Sequence, residues 1–192
     1  RDLHDNIGSQ LTFVITSLDN MNYIKEDEQR KLKLQQLGSF TKDTMHQLRE
    51  TIWAIKSESI TSEQLISKVS EFLDKAKVAC SNIDFQIVNK QNKSFEFNSN
   101  QAINVYRIVQ EAVNNAIKYS GASQIQFVME NNKISIFDNG KGFDHTTDQY
   151  ASAGLRNMNF RAQSLQGKLK IESAPNQGSC LTLQIPCLKS NL

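Results

Sequence analysis

From Leu3 the apolar residues fall at Leu3, Ile7, Leu11, Val14, Leu18 and Met21, in steps of three and four. That spacing gathers them into one stripe along a helix. A polar stretch from Lys25 to Arg30 permits a turn, and a second stripe runs through Leu34, Leu37, Phe40 or Thr41, Met45, Leu48, Ile52 and Ile55. The pattern predicts two long amphipathic helices in an antiparallel hairpin. Stripes of this kind are ordinarily buried by a second hairpin, so the expected assembly is a homodimeric four-helix bundle. The helical pattern is already running at Arg1 with no start signal before it, and the natural protein is expected to continue upstream.

Ser57 to Ser62 is polar and reads as a linker between a first region, 1–58, and a second, 62–188. Leu65, Ile66, Val69, Phe72, Leu73 and Ala76 predict a third amphipathic helix. The period then changes to two. Ile83, Phe85 and Ile87 alternate with polar residues, as do Ile125, Phe127 and Met129. Asn131-Asn132 can turn the latter strand into Lys133–Asp138 as a hairpin. Leu169 and Ile171, then Leu181, Leu183 and Ile185, give another pair around Ala174–Gly178. Between these strands lie two helices, one capped near Asn98 or Ser99 and ending at Ser120-Gly121, the other from about Leu155 to Leu165. The whole is an α+β chain, a helical hairpin followed by one mixed sheet covered by helices.

Composition narrows the function classes. Twenty-two Lys+Arg against 20 Asp+Glu give a formal charge of +2, too balanced for a nucleic-acid binder. No apolar run approaches the roughly 20 residues that span a bilayer. Cys80, Cys180 and Cys187 lack metal-ligand spacing, which suits reduced thiols and a cytoplasmic setting.

Four stretches of the second region carry candidate chemistry. Glu111 and Asn115 lie four apart on one helix face. Asp138-Asn-Gly-Lys-Gly142 leaves a strand into a glycine-bearing loop. Gly154-Leu155 begins a helix after a polar stretch from Asp144, and Gly178-Ser179 precedes the last strand. An Asn oxygen suits a hard Mg²⁺ ion, and glycines let backbone amides approach phosphates. The chain has no Walker A sequence.

Their order and spacing over roughly residues 65–187 resemble the nucleotide-binding boxes of the GHKL (Bergerat) ATP-binding α/β-sandwich fold of histidine kinases, Hsp90, MutL and type II topoisomerases. The resemblance implies that ATP and Mg²⁺ bind there, with Asn115 on the ion and Glu111 near the γ-phosphate. It implies that Asp138 selects adenine, that Gly140 and Gly142 shape the pocket, and that Gly154, Leu155, Gly178 and Ser179 border it. Lys118 would help to neutralise phosphate charge, and Arg161 matches a family arginine read as structural.

Arg1-Asp-Leu-His-Asp-Asn-Ile-Gly-Ser-Gln-Leu11 resembles the H box of sensor histidine kinases paired with NarL/LuxR-type response regulators, and Glu50–Ile55 is similar to the end of their second bundle helix. This implies autophosphorylation of His4 and transfer to an aspartate of a regulator's receiver domain. Neutral imidazole is a phosphoryl acceptor near pH 7, and Asp5 is placed to hold its other nitrogen's proton, leaving Nε2 as the nucleophile. Membrane attachment of the whole protein, at the inner membrane, would come through its upstream region. Where the family often has a glutamine for dephosphorylating the regulator, this chain has Ser9, with Gln10 about 100° away around the helix. A nucleotide-binding dimeric scaffold without turnover is the alternative. A protein-serine kinase of the same fold is disfavoured, because it needs no histidine in its hairpin.

Overall fold

A computed structural model describes residues 2–21, 23–24, 26–55, 59–143, 153–186 and 189–190. The chain divides into two compact units, Arg1–Lys56 and Ser57–Leu192.

The first unit is a pair of helices, α1 (Asp2–Met21) and α2 (Asp27–Ile55). The turn is tighter than the polar stretch Lys25–Arg30 suggests, because Asp27 and Glu28 already form the first helical turn of α2. Carboxylates there meet the positive end of the helix dipole, and Arg30 closes onto Asp27 at 2.7 Å. Met21, Leu37, Thr44 and Ala54 are buried, and Phe13 and Phe40 pack with ring centroids 4.7 Å apart. The expected seam is only partly covered within one hairpin. Leu11, Leu18, Leu34, Met45 and Ile52 stay about half exposed, the state of a stripe that awaits further helices. The side chains of Leu3, His4, Asp5 and Ile7 lie outside the described residues.

The second unit runs β1 (Ile60–Thr61), α3 (Ser62–Ala79), β2 (Asp84–Asn89), β3 (Phe95–Phe97), α4 (Ser99–Asn115), β4 (Gln124–Glu130), β5 (Lys133–Asp138), α5 (Ala153–Ser164), β6 (Lys168–Ser173), β7 (Ser179–Gln184) and β8 (Lys189–Ser190). Beyond Asn115, α4 continues into a π-helical turn, Ala116–Ser120, closed by Gly121 at φ +65°.

Both long helix starts are capping boxes. The Thr61 hydroxyl accepts from Gln64 N, and the Gln64 side chain accepts from Thr61 N at 2.9 Å. Asn98 and Gln101 do the same for α4, fixing its cap at Asn98. This alters the linker reading of Ser57–Ser62. Ile60 is 2% exposed, β1 pairs with β3, and the fully buried Ser62 hydroxyl accepts from Phe95 N at 3.1 Å. A buried backbone N–H needs such a partner, so the end of that segment is fixed into the second unit.

The main sheet has the order β2-β4-β5-β7-β6, with β2 and β4 parallel and the other neighbours antiparallel. Register sets three rows on one face: Phe85–Ile125–Asp138–Ser179–Ser173, Ile87–Phe127–Ile136–Leu181–Ile171, and Asn89–Met129–Ile134–Leu183–Leu169. The last two rows pass through the buried centre of the core. The first begins apolar and ends polar, and its polar end is where a ligand can sit. Asn131, at φ +48°, makes the β4–β5 turn expected from Asn131-Asn132.

Helix α5 ends in a Schellman motif: Gly167 N donates to Ala162 O at 2.9 Å and Gln166 N to Gln163 O at 2.8 Å. Gln166 occupies the left-handed position at φ +53°, where glycine is usual. The second, three-stranded sheet (β1-β3-β8) gives no signal in the sequence, since two or three residues are too few to show a period.

Candidate nucleotide-binding site

The apolar face of α4 (Ala102, Val105, Ile108, Val109, Ala112, Val113) is buried in the core, which leaves Glu111 and Asn115 at its margin. Asn115 Nδ2 donates to Glu111 Oε1 at 3.3 Å. The π turn that follows carries an extra residue per turn, a feature frequent at functional sites. Ser120 Oγ bonds back to Ala116 O at 2.7 Å and accepts from Ala122 N at 3.0 Å.

Asp138 ends β5, and its Oδ1 accepts from Gly140 N at 3.0 Å. The next residue pins the loop: Asn139 Oδ1 accepts from Ser123 N and Gln124 N at 3.0 and 2.9 Å. Residues 139–143 then run between the π turn and the β6–β7 turn. Lys141 N donates to Ser120 O at 2.8 Å, and Asn176 N donates to Lys141 O at 2.6 Å.

Three glycines permit this close stacking. A Cβ at Gly140 would lie 2.5 Å from Ser120 Cβ and from Ser120 O. At Gly142 it would strike Ala174 O, and at Gly178 it would strike Asp138 O; both positions also have positive φ, +59° and +71°. A side chain at Gly154, in the first turn of α5, would strike Glu111 Oε1.

These elements enclose a cavity of about 720 Å³, lined by Glu111, Asn115, Asp138, Gly142, Gly154, Leu155 and Ser179 among the residues expected from sequence. Its apolar wall is Ile136, Ile171 and Leu181 from the middle sheet row, with Met158 from α5. An apolar slot of this volume with a few convergent polar groups is the form of a small-molecule site. Gly140 and Gly178 are not among the lining residues; each lies where a Cβ would strike a neighbouring turn or strand end. Lys118, on the π turn, is not among the lining residues, and Arg161 instead donates to Asn104 Oδ1 at 3.1 Å, tying α5 to α4. His4 and Asp5 lie in α1, with their side chains outside the described residues.

Tyr119, Ser120 and Lys141 also line the cavity. Two of them had a signal: Tyr119 continues the four-residue step Glu111–Asn115, and Lys141 lies inside Asp138-Asn-Gly-Lys-Gly142. The π turn that brings Ser120 in has no signature in the hydrophobic pattern.

A nucleotide fits this chemistry. The apolar wall suits a base, Asp138 offers an acceptor to an exocyclic amine, and Glu111 and Asn115 line the same cavity. Among the described residues no cluster of three His, Cys, Asp or Glu could cage a metal ion.

Comparison with known proteins agrees. Residues 1–60 match a family model described as histidine kinase, and residues 100–189 match one described as histidine kinase-, DNA gyrase B-, and HSP90-like ATPase. The signal transduction histidine-protein kinase/phosphatase DegS of Brevibacillus brevis is 26% identical over 194 residues, covering 97% of this chain and 50% of that protein. Sensor histidine kinase YxjM of Bacillus subtilis is 26% identical over 200 residues, covering 100% of this chain and 47% of its own. The chain thus spans about half the length of these curated relatives. Among solved structures, the histidine kinase domain from the Erythrobacter litoralis EL346 blue-light activated histidine kinase aligns with a TM-score of 0.62 at 14% identity, over 97% of this chain and 94% of that one. The ATP binding domain of PrrB from Mycobacterium tuberculosis aligns with a TM-score of 0.54 at 22% identity, over 67% and 95%. At such identities these likenesses speak to the fold. With a histidine kinase model over its helical hairpin and the related ATPase model over most of its second unit, the chain belongs to the histidine kinase family.

Proposed function

We propose that this chain is the catalytic core of a two-component sensor histidine kinase, which uses ATP to phosphorylate its own His4 and passes the phosphoryl group to an aspartate of a response regulator. One observation carries the reading: Glu111, Asn115, Asp138, Gly142, Gly154, Leu155 and Ser179, from five separate elements and loops, line one cavity. Asp138 accepts from the adenine amine, and the apolar wall covers the base. Asn115 would hold Mg²⁺, which neutralises charge on the phosphates as the γ-phosphoryl group departs. Glu111, set beside Asn115, orients the reacting end.

In the transfer, Nε2 of His4 attacks the γ-phosphorus, the bond to the β–γ bridging oxygen breaks, and ADP leaves. Asp5 holds the proton on Nδ1 and supports the imidazolium charge that develops. The half-exposed stripe of Leu11, Leu18, Leu34, Met45 and Ile52 supports a homodimer, in which a second hairpin covers it. The regulator carries a receiver domain and, by the resemblance of residues 1–11, a LuxR-type output. The reaction belongs to the cytoplasm, where ATP is present; among the described residues no helix is long and apolar enough to cross a membrane.

Incubating the chain and its His4→Gln variant with Mg²⁺ and γ-labelled ATP tests the reading. Acid-labile, alkali-stable label on the parent and none on the variant is the expected result. Equal labelling of both would remove His4 from the reaction.

A further inference from the structure

A polyphosphate brings several negative charges, and this cavity already holds two carboxylates, Glu111 and Asp138. The cations available to balance them are few. Lys118 is absent from the lining residues, whereas Lys141 carries the one positive charge among those described.

Lys141 is also built to present that charge. Its N–H donates to Ser120 O at 2.8 Å and its carbonyl accepts from Asn176 N at 2.6 Å, so its backbone is clamped from both sides. The flanking glycines admit this clamp, since a Cβ on either would strike Ser120 or Ala174. Only the side chain is left to move. It is exposed and makes no ion pair with a described residue. An ammonium with no ion-pair partner among the described residues, on a fixed backbone at the edge of a cavity whose other described charges are negative, is available to an anion.

We infer that Lys141 is a nucleotide-contacting residue whose ammonium engages the phosphates of bound nucleotide. It would add to the phosphate neutralisation that the family resemblance implies for Lys118. The inference rests on the nucleotide reading above and assigns one residue within it. It makes affinity at this site depend on the phosphates through Lys141, while recognition of adenosine rests on Asp138 and the apolar wall.

Calorimetric titration of the 192-residue chain with ATP and with adenosine, beside Lys141→Met and Lys141→Arg, tests it. The methionine variant should bind ATP about tenfold more weakly, the loss typical of one charge-assisted hydrogen bond. Its adenosine affinity should stay within about twofold of the parent, and arginine should restore most of the ATP affinity. Equal losses for both ligands would make Lys141 a support for the base, and unchanged ATP affinity would remove it from the site; either overturns the inference. A parent chain that binds neither ligand would sink the nucleotide reading itself, and the inference with it.

Discussion

Gly154→Ala separates the position of Glu111 from every other property of the site. The added Cβ would run into Glu111 Oε1, and would lie 3.1 Å from its carboxyl carbon and 3.5 Å from Asn115 Nδ2. Non-bonded heavy atoms settle at about 3.5 Å or more. The carboxylate, being the far end of a flexible side chain, therefore retreats by about 1 Å while helix α5 stays in place. Its 3.3 Å contact with the Asn115 amide breaks. A misplacement of about 1 Å in a reacting constellation costs on the order of 100-fold in rate. Folding moves the other way, because alanine is favoured over glycine within a helix by about 1 kcal/mol. Autophosphorylation at saturating Mg-ATP, run beside thermal unfolding and ATP titration, should show a rate about 100-fold lower. The melting temperature should be equal or slightly higher, and ATP affinity should change only a few-fold. An undiminished rate in a stably folded variant would refute the reasoning, since Glu111 could then be moved without consequence.

Two further outcomes test the fold. Gln166→Gly should raise the melting temperature by about 2–4 °C, because it removes a left-handed strain of about 1 kcal/mol at φ +53°, while Gln166→Ala should give no such gain. The Ser94 hydroxyl donates to Glu63 at 2.7 Å and holds that carboxyl below the usual glutamate range, so its contribution is present above the ordinary pKa of about 4.3 and is lost as pH falls through the lower folded value. Urea unfolding of Glu63→Gln should accordingly show a deficit at pH 7 that closes as pH falls below the ordinary glutamate range, and a deficit independent of pH would contradict this assignment.

The hairpin, the helix α4 cap at Asn98, the Asn131 turn and the strand pairs β4–β5 and β6–β7 were legible because each leaves a local mark: a period, a capping residue or a turn pair. The polar end of the first sheet row was half legible. Asp138 stood out by its glycines, but its alignment with Ser179 and Ser173 depends on register between strands far apart in sequence. The β1-β3-β8 sheet and the parallel β2–β4 pairing are non-local and lie beyond pattern reading. The π turn is a backbone choice that its residues do not announce, so the entry of Ser120 into the cavity lining was not legible. The anchoring of Ile60–Ser62 was hidden for the same reason, since its partner, Phe95, lies on another strand.

Strand β3 has consequences for the order in which the molecule is assembled. Its two edges are taken by Ile60–Thr61 on one side and Lys189–Ser190 on the other. The small sheet therefore joins segments from opposite ends of the second unit, and it closes only after almost all of that unit has left the ribosome. Contacts of such sequence separation form slowly, after local structure has collapsed. During synthesis the edge of β3 that receives Lys189–Ser190 stays open, and an open edge is a template for pairing with other chains. Its brevity, three residues with Glu96 at the centre, limits what a stray strand could gain by docking there before the proper one arrives.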